Sequence, residues 1–540
     1  MSATTSIRAP EGLLQRLVVP SLLDVFFVVL LLVAFAQPQG LGSLLVDGDT
    51  GWHIRTGELV LETGHAPGVD PFSFTRPNQP WFAWEWLTDV TFAALWRWRG
   101  LAGVAALAGV VLAGAATGLL AWLLVRGSGL WLGVAVTMAA VSASSIHYLA
   151  RPHVFSILFY TLALATLSQD RARPGRRVWL LIPLTALWVN VHAGFLAWLA
   201  TLGLLVMYCA TRRAWREVRR YGMLLLLCGL GSLLNPYGWQ LHLHIARYLN
   251  SSWILDHVQE FQSPNIRSEG MIVFAVLLLA TVSLVAKADR FEGLLVLVWG
   301  FLALRSARHV PFFAIAAAPV LASAAAAHWA RLSDAAGRRA PRRIFWELAQ
   351  EFGSHPRASL WLPLAAVVMI VAAPRVGFPD SIFPVQAVER NLAQLAPGGA
   401  MPRVLTSDQW ADYLTYRLYP QQRVFFDGRS DFFGPEIGAD YGKLLAGESP
   451  WRQLLDRYRF ELALLPHAWA LSTALETEPG WRKVYQDKVA VLFARTDSLE
   501  VGRTPCSAAD APVGLQAGKR AGPGGPARTG GSAPQPGGRP

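Results

Sequence analysis

The chain has 540 residues, of which 53% are hydrophobic and 16% are charged. Soluble globular proteins usually carry about a quarter charged residues, so this composition argues against a soluble globular protein and indicates a chain solvated mainly by lipid. The 48 Lys and Arg residues outnumber the 36 Asp and Glu residues. Because these bases fall between apolar segments rather than on one basic face, they do not indicate nucleic-acid binding.

Apolar segments near the 20-residue length that a helix needs to cross a bilayer predict a polytopic membrane protein with about 11–12 transmembrane helices. The first follows Arg8 and Arg16 without a cleavage site of small residues, so we expect a retained helix rather than a signal peptide. A shorter segment at 86–98 contains Asp89 and suits either an interfacial helix or a further crossing. The other predicted spans are 18–37, 101–125, 130–149, 154–169, 178–191, 194–211, 222–235, 271–286, 291–305, 310–329 and 358–374.

Arginine clusters at 171–177, 212–220 and 331–343 set the predicted topology, because cytoplasmic loops are enriched in basic residues. An even number of predicted helices separates each pair of clusters, so all of them can face the cytoplasm. A cytoplasmic N-terminus at 1–17 then requires that 86–98 does not cross fully; the alternative is that it crosses and a neighbouring segment does not. We therefore predict a transmembrane domain at 18–374 in the bacterial inner membrane. Its periplasmic side receives 38–100, 149–153, 190–193, 236–270, 305–309 and the chain after about 375.

The region 375–500 differs in character from the apolar spans. Short β-rich segments at 403–406, 423–426, 461–465 and 489–493 alternate with helical patterns at 408–418 and 451–458. This alternation predicts a small periplasmic α/β domain. Within it, the segment from Asp427 to Asp431 suits either a sugar-binding loop or an internally satisfied turn. The Gly- and Pro-rich segment 501–540 is predicted to be disordered.

The first periplasmic loop carries two acidic residues, Asp47 and Asp49, directly after a membrane helix. A carboxylate at the membrane–water boundary can act as a general base toward a hydroxyl, or hold a divalent cation that neutralises a phosphate leaving group. The alternative is that one of them is a helix N-cap. If the segment from Gly51 is helical, Asp49, His53 and Glu58 share one surface.

Further polar residues fall on the same predicted side. Glu85 lies between Trp84 and Trp86, whose rings suit interface anchoring and also stacking on sugars. Arg305 and Arg308 contradict the positive-inside trend, which predicts that they bind an anion such as a lipid phosphate. No role is assigned to the loop 236–270. The remaining polar turns contribute Arg151, His153, His192 and His309.

The layout of residues 18–375 resembles the GT-C superfamily of membrane glycosyltransferases, which use polyprenyl-phosphate-linked sugars. Within it, the chain resembles the protein O-mannosyltransferases and the aminoarabinose transferase acting on lipid A. The resemblance rests on an acidic motif after the first helix and on the turn and tryptophan-rich segments that follow it. These are Asp47 and Asp49, then Arg55 and Glu58, Gly64-His65-Ala66-Pro67 and Trp84-Glu85-Trp86.

The resemblance implies an inverting transfer of a sugar from a polyprenyl-phosphate donor to a lipid, glycan or protein acceptor of the envelope. Asp49 is the expected base, with Asp47 second, and Arg305 and Arg308 are expected to hold phosphate. Better-known members have adjacent Asp-Glu where this chain has Asp47-Gly48-Asp49, which leaves the base and any dependence on Mg or Mn open. The other expected substrate-binding residues are His53, Glu58, Glu85, Arg151, His153, His192 and His309.

Two alternatives belong to other functional classes. A transporter or flippase needs ionisable residues near helix midpoints and broken helices paired between two halves. The polar clusters of this chain lie at helix ends instead, and the sequence shows no internal repeat. The second alternative is a non-catalytic assembly protein, whose α/β domain binds envelope partners and whose acidic loop is structural.

Overall fold

A computed structural model describes residues 17–36, 39–335, 337, 339–354, 356–398 and 401–496. The predicted cytoplasmic segment 1–17, apart from its last residue, and the predicted disordered tail 501–540 lie outside the described residues. The described residues form one compact unit that ends at Thr496.

Helices make up nearly all of the regular structure as far as residue 372, and each predicted apolar span coincides with one of them. In chain order they are α1 (Leu22–Ala36), α2 (Asp49–Thr63), α3 (Trp86–Arg99), α4 (Leu101–Val125), α5 (Leu130–Ser144), α6 (His153–Ala172), α7 (Leu181–Trp188), α8 (Phe195–Thr211), α9 (Trp215–Gly231), α10 (Trp239–Leu249), α11 (Ser252–His257), α12 (Glu269–Val282), α13 (Arg290–Arg305), α14 (Val310–Asp334), α15 (Pro341–Gly353) and α16 (Trp361–Ala372). The sequence does not predict α10 and α15, because their apolar residues are spaced among polar ones rather than in one continuous run.

Length and composition qualify several of these helices for a bilayer. Among the described residues, three helical segments are long and apolar enough to cross it: Leu101–Val125, Leu130–His147 and Ala307–Asp334. Shorter apolar helices accompany them at Leu22–Ala36, Arg177–Trp188, Phe195–Thr211, Gly270–Val282 and Trp361–Ala372. The predicted polytopic helical architecture is therefore confirmed, while its orientation in the membrane stays a prediction.

The two helices of the first loop, α2 and α3, pack closely against each other. Gly57 makes this possible, because a Cβ at that position would lie 1.9 Å from the backbone oxygen of Asp89. On its other side α2 meets the C-terminal region, where a Cβ at Gly48 would lie 2.2 Å from the backbone oxygen of Gln409. The first acidic helix is thus held between two neighbours at backbone contact distance.

The C-terminal region contains the predicted mixture of helices and strands. Its elements are α17 (Val385–Arg390), α18 (Leu392–Leu395), β1 (Val404–Leu405), α19 (Asp408–Leu418), α20 (Ser430–Ala446), α21 (Trp451–Arg457), β2 (Leu462–Pro466), α22 (Ala470–Glu476), β3 (Trp481–Gln486) and β4 (Ala490–Arg495). The strand order is β1-β2-β4-β3, with β1 and β2 parallel and the other two pairs antiparallel. The predicted strand at 423–426 forms only isolated bridges, in which Val424 pairs with Ser73 and Val404.

The first loop and the C-terminal region share one hydrophobic core. Val424 donates a backbone hydrogen bond to Phe72 (2.9 Å) and accepts one from Phe74 (3.0 Å). Buried Trp52, Phe72 and Trp81 pack in one cluster with aromatic and aliphatic side chains of the C-terminal region, among them Phe425, Phe433, Leu465 and Phe493. The predicted boundary at 375 stays a prediction, but the core that stabilises this region crosses to the first loop.

Candidate active site

A cavity of about 350 Å³ collects most of the polar residues that the sequence singled out. Its walls come from the first loop, from the turns that precede α6, α8 and α14, and from the loops before α12 and α20. The predicted site residues that line it are Asp49, His53, Glu85, Arg151, His153, His192, Arg308 and His309.

Glu58, Arg305 and Asp47 do not line this cavity. Glu58 lies nine residues after Asp49 on α2. Because nine residues correspond to two and a half helical turns, Glu58 is on the opposite face of the helix, where it pairs with Arg55. Arg305 is exposed at the end of α13, where Ser306 turns extended and breaks the helical spacing to Arg308. Asp47 pairs with the cavity-lining Arg151 but does not line the cavity itself.

Arg151 is the centre of an acidic cluster. Its Nη1 lies 3.0 Å from Asp47 Oδ2 and 2.8 Å from Glu260 Oε1, and its Nη2 lies 2.7 Å from Asp49 Oδ2. Glu260 comes from the loop to which the sequence assigned no role. Nothing local identifies it, since Glu260 is separated from Arg151 by 109 positions and meets it only in the folded chain.

Asp49 opens α2 and is buried, with one oxygen on Arg151. Its other oxygen, Oδ1, is buried without a hydrogen-bond partner among the described residues. Burial raises the pKa of Asp49 to about 7, against the attraction of Arg151. A carboxylate that titrates near neutral pH is suited to accept a proton from a hydroxyl and to release it again.

A second buried acid, Asp412 on α19, reaches the same place from the C-terminal region. It accepts a hydrogen bond from the backbone N–H of Gly428 (3.2 Å). A Cβ at Gly428 would lie 2.1 Å from Asp49 Oδ1 and 2.8 Å from Asp412 Oδ2. Burial, then repulsion from Asp49, raises the pKa of Asp412 well above its usual range. The sequence predicted α19 but not this acid, because the contact joins residues far apart in the chain.

Glu85 precedes α3 and lies between two imidazoles. Its carboxyl oxygens are 3.6 Å from Nε2 of His53 and 3.6 Å from Nε2 of His192. Burial raises the pKa of Glu85 to about 8, so it carries a proton at neutral pH and can donate a hydrogen bond. His192 is held by Ser156, whose hydroxyl lies 2.7 Å from its Nδ1.

Arg308 supplies the basic side of the cavity. Its guanidinium lies 4.1 Å from the ring centre of Phe261, and its Nη2 is 3.8 Å from Glu260 Oε2. The turn that carries it is tied down, since His147 Nε2 donates to the carbonyl of Ala307 (3.0 Å). Burial opposes the ionisation of Glu260, but Arg151 and Arg308 outweigh it and hold its pKa below the usual range.

The segment from Asp427 to Asp431 forms the internally satisfied turn, while sugar binding by this segment stays a prediction. Arg429 is buried and pairs with Asp427 (2.6 Å) and with Asp70 of the first loop (2.8 Å), as a satisfied turn would. Ser430 and Asp431 nevertheless line the cavity. Arg429 therefore fastens the C-terminal region to the first loop at the edge of the site.

The expected divalent cation does not fit the acidic cluster as it stands. Within the part of the chain that the structure describes, no group of three or more His, Cys, Asp or Glu side chains is arranged to hold a metal. Asp47, Asp49 and Glu260 each direct an oxygen to the guanidinium of Arg151. Mg and Mn require such oxygens for themselves, so we derive no step through a metal.

Comparisons with known proteins rest on structure alone. No family model matches the sequence, and no curated protein matches it. The archaeal oligosaccharyltransferase AglB from Archaeoglobus fulgidus, solved with an inhibitory peptide and a dolichol-phosphate, matches with a TM-score of 0.52 and 10% identity over 82% of this chain and 69% of AglB. ArnT from Cupriavidus metallidurans, solved with undecaprenyl phosphate, matches with a TM-score of 0.44 and 13% identity over 88% of this chain and 98% of ArnT.

The likeness to AglB confirms the predicted fold, since it covers more than two thirds of each chain. The chain therefore shares the fold of the oligosaccharyltransferase AglB over 82% of its length.

Proposed function

We propose that the protein is an inverting glycosyltransferase, which moves a sugar from a polyprenyl-phosphate donor to a hydroxyl of an envelope lipid, glycan or protein. The observation that carries this proposal is one cavity holding a buried carboxylate with a pKa of about 7, Asp49, and a basic turn with Arg308. AglB, whose fold the chain shares, is solved with a dolichol-phosphate, which is a lipid phosphate of the proposed kind.

Asp49 is the proposed general base. Its Oδ1 lies next to the Asp412 carboxyl and has no partner at hydrogen-bond geometry among the described residues, so it can accept the proton of the acceptor hydroxyl as that oxygen attacks the anomeric carbon. The bond from this carbon to the phosphate oxygen breaks, and the phosphate leaves with the electron pair. A single displacement of this kind inverts the configuration at the anomeric carbon, since no protein nucleophile intervenes.

Arg308 is the proposed ligand of the leaving phosphate. Its charge is only partly offset, because the nearest carboxyl oxygen, on Glu260, is 3.8 Å away. Preorganised cations aimed at developing negative charge are among the largest contributors to catalysis. Protonated Glu85 and the rings of Trp52, Trp81 and Trp84 supply hydrogen-bonding and stacking surface for the sugar.

The phosphate-binding part of this proposal is tested with the purified full-length protein and undecaprenyl phosphate in detergent micelles. Arg308→Ala should weaken binding on the order of tenfold or more. Arg305→Ala is the matched control, because Arg305 is exposed and away from the cavity, and it should bind as the wild type does. Equal binding by both variants would remove Arg308 from the donor site.

The transfer itself is tested with a lipid extract that contains polyprenyl-phosphate sugars. Mass spectrometry follows the release of free polyprenyl phosphate in membranes that contain the folded protein. Asp49→Asn should reduce this release by about 10²–10⁴-fold, the usual contribution of a general base, while undecaprenyl phosphate still binds. Binding without turnover by the wild type would favour the non-catalytic assembly protein instead.

A further inference from the structure

The charges around Arg151 do not resemble an ordinary surface ion pair. Three carboxylates reach it from two separate loops, Asp47 and Asp49 from the first and Glu260 from the loop before α12. All three distances lie between 2.7 and 3.0 Å, the range of charge-assisted hydrogen bonds. A guanidinium presents its donors in a fixed plane, so it can bind several carboxylates at once.

We propose that Arg151 is the resident cation of the acidic site, and that its guanidinium holds the carboxylates that a divalent ion would otherwise bring together. This inference rests on the proposed function and adds that transfer proceeds without a bound divalent ion. The oxygens of Asp47 and Glu260 that would ligate a metal already accept hydrogen bonds from Nη1, and Nη2 forms an ion pair with Asp49.

Electrostatics explains why some cation is needed here. Like charges that share a low-dielectric site strongly disfavour each other's ionised forms, and Asp47 and Glu260 both act on Asp49 in that sense. Arg151 opposes this repulsion and keeps Asp49 ionisable near neutral pH. Removing one partner of such a buried cluster leaves the others uncompensated.

Arg151 also lies at the wall of the cavity. Its Nε is buried without a hydrogen-bond partner among the described residues. In the transfer step the guanidinium neither gains nor loses a proton. The acceptor's proton goes to Asp49, the phosphate takes the electron pair, and Arg151 orients Asp49 throughout.

The test uses Mn²⁺, added to purified full-length protein and followed by electron paramagnetic resonance and by thermal unfolding. The wild type should bind no Mn²⁺ at this cluster, and its turnover should be unchanged by EDTA. Arg151→Ala leaves Asp47, Asp49 and Glu260 without their cation. It should therefore gain a Mn²⁺ site that the wild type lacks and unfold at a higher temperature when Mn²⁺ is present.

Matched variants locate the effect. Adding Asp49→Asn to Arg151→Ala should abolish the new binding, because one of the carboxylates is lost. Arg308→Ala should bind no Mn²⁺, since it removes a cation but leaves Arg151 in place. Arg151→Lys, which keeps a positive charge among the carboxylates, should also bind none.

Three results would overturn the inference. One is stoichiometric Mn²⁺ binding by the wild type that Asp49→Asn removes, a result that decides the matter even when Arg151→Ala does not fold. Another is a folded Arg151→Ala that binds no Mn²⁺. The third is turnover that EDTA abolishes and Mn²⁺ restores, which would leave the proposed glycosyl transfer intact and remove only the role of Arg151.

Discussion

Asp49 owes its position as a base to two opposing influences within one side chain. Its first oxygen is paired with Arg151 and its second is buried without a partner among the described residues. Pairing favours the carboxylate, whereas burial favours the acid, and burial prevails. Asp49 therefore gains or loses its proton near neutral pH.

The pH dependence of turnover follows from this balance. Asp49 must be ionised to accept a proton, and its pKa is about 7, so turnover should fall about tenfold per pH unit below 7 and level off above it. Initial rates of polyprenyl phosphate release between pH 5 and pH 8.5 measure this. Asp47→Asn removes a neighbouring charge that raises the pKa of Asp49, so its profile should shift to lower pH. A wild-type rate that is constant down to pH 5 would exclude Asp49 as the base.

The absence of a side chain at Gly428 leaves room for the carboxylate of Asp49. A methyl group there would lie 2.1 Å from Asp49 Oδ1, so Gly428→Ala should displace the carboxylate and reduce turnover on the order of 100-fold. Gly442→Ala is the matched control, because a Cβ at that helical position meets nothing within 4 Å. Unchanged turnover in folded Gly428→Ala would show that the position of Oδ1 does not matter.

The sequence identified individual residues where the signal was local. Asp49 and His53 are four positions apart on one helix and therefore share a face, as the sequence predicted once the segment is helical. Glu58 lies half a turn away from that face of the helix. Asp412 and Glu260 carried no local signal, since their partners lie in other loops, and only the fold brings them to Asp49 and Arg151.

At the scale of elements, α2 is positioned by glycines rather than by large side chains. Gly57 brings its backbone against α3, and Gly48 and Gly51 bring it against α19. Such close contacts place the carboxylate-bearing end of the helix with little freedom to shift. The site therefore depends on three helices that meet through small residues.

Gly57→Ala tests this packing. Its Cβ would lie 1.9 Å from the backbone oxygen of Asp89, and overpacking of this kind usually costs about 1–3 kcal/mol. The variant should unfold at a lower temperature in detergent than the wild type. Gly203→Ala should not, since a Cβ at Gly203 in α8 meets nothing within 4 Å. If the two variants unfold at the same temperature, the close contact between α2 and α3 at Gly57 does not contribute to stability.

The sequence predicted helices and strands whose residues show a continuous pattern. It did not predict the structure of segments that depend on contacts with another part of the chain. The helix at 408–418 was predicted with both ends from its helical pattern, and in the structure Ser407 accepts a hydrogen bond from the backbone of Trp410 and caps it. The segment 423–426 has the composition of a strand, but it bridges to the first loop instead of joining the sheet. β3 was missed because none of its six residues is buried and its three exposed residues are polar.

At the scale of the whole molecule, the membrane helices, the first loop and the C-terminal region build one site together. The positions of the apolar helices along the chain could be predicted, since the thickness of a bilayer requires about 20 apolar residues per helix. The shared core could not, because its members Phe72 and Phe425 lie in segments that each suit an independent structure. Arg429 with Asp70 and Asp427 is the polar counterpart of that core.

Arg429→Ala tests whether this junction stabilises the protein. The substitution leaves Asp70 and Asp427 buried without their cation, and breaking such a pair usually costs about 3–5 kcal/mol. Thermal unfolding should shift downward accordingly. The control is Arg457→Ala, which removes an exposed pair with Asp440 and should have little effect. Equal unfolding temperatures would contradict a stabilising junction.

The hydrogen bond between Thr75 and Phe425 joins residues 350 positions apart. Synthesis at about 5–20 residues per second separates the emergence of its two partners by roughly 20–70 s. During that interval Trp52, Phe72 and Trp81 have been made but their core partners have not. The order of translation thus delays completion of the cavity, so a nascent chain becomes competent only after its C-terminal region has been made.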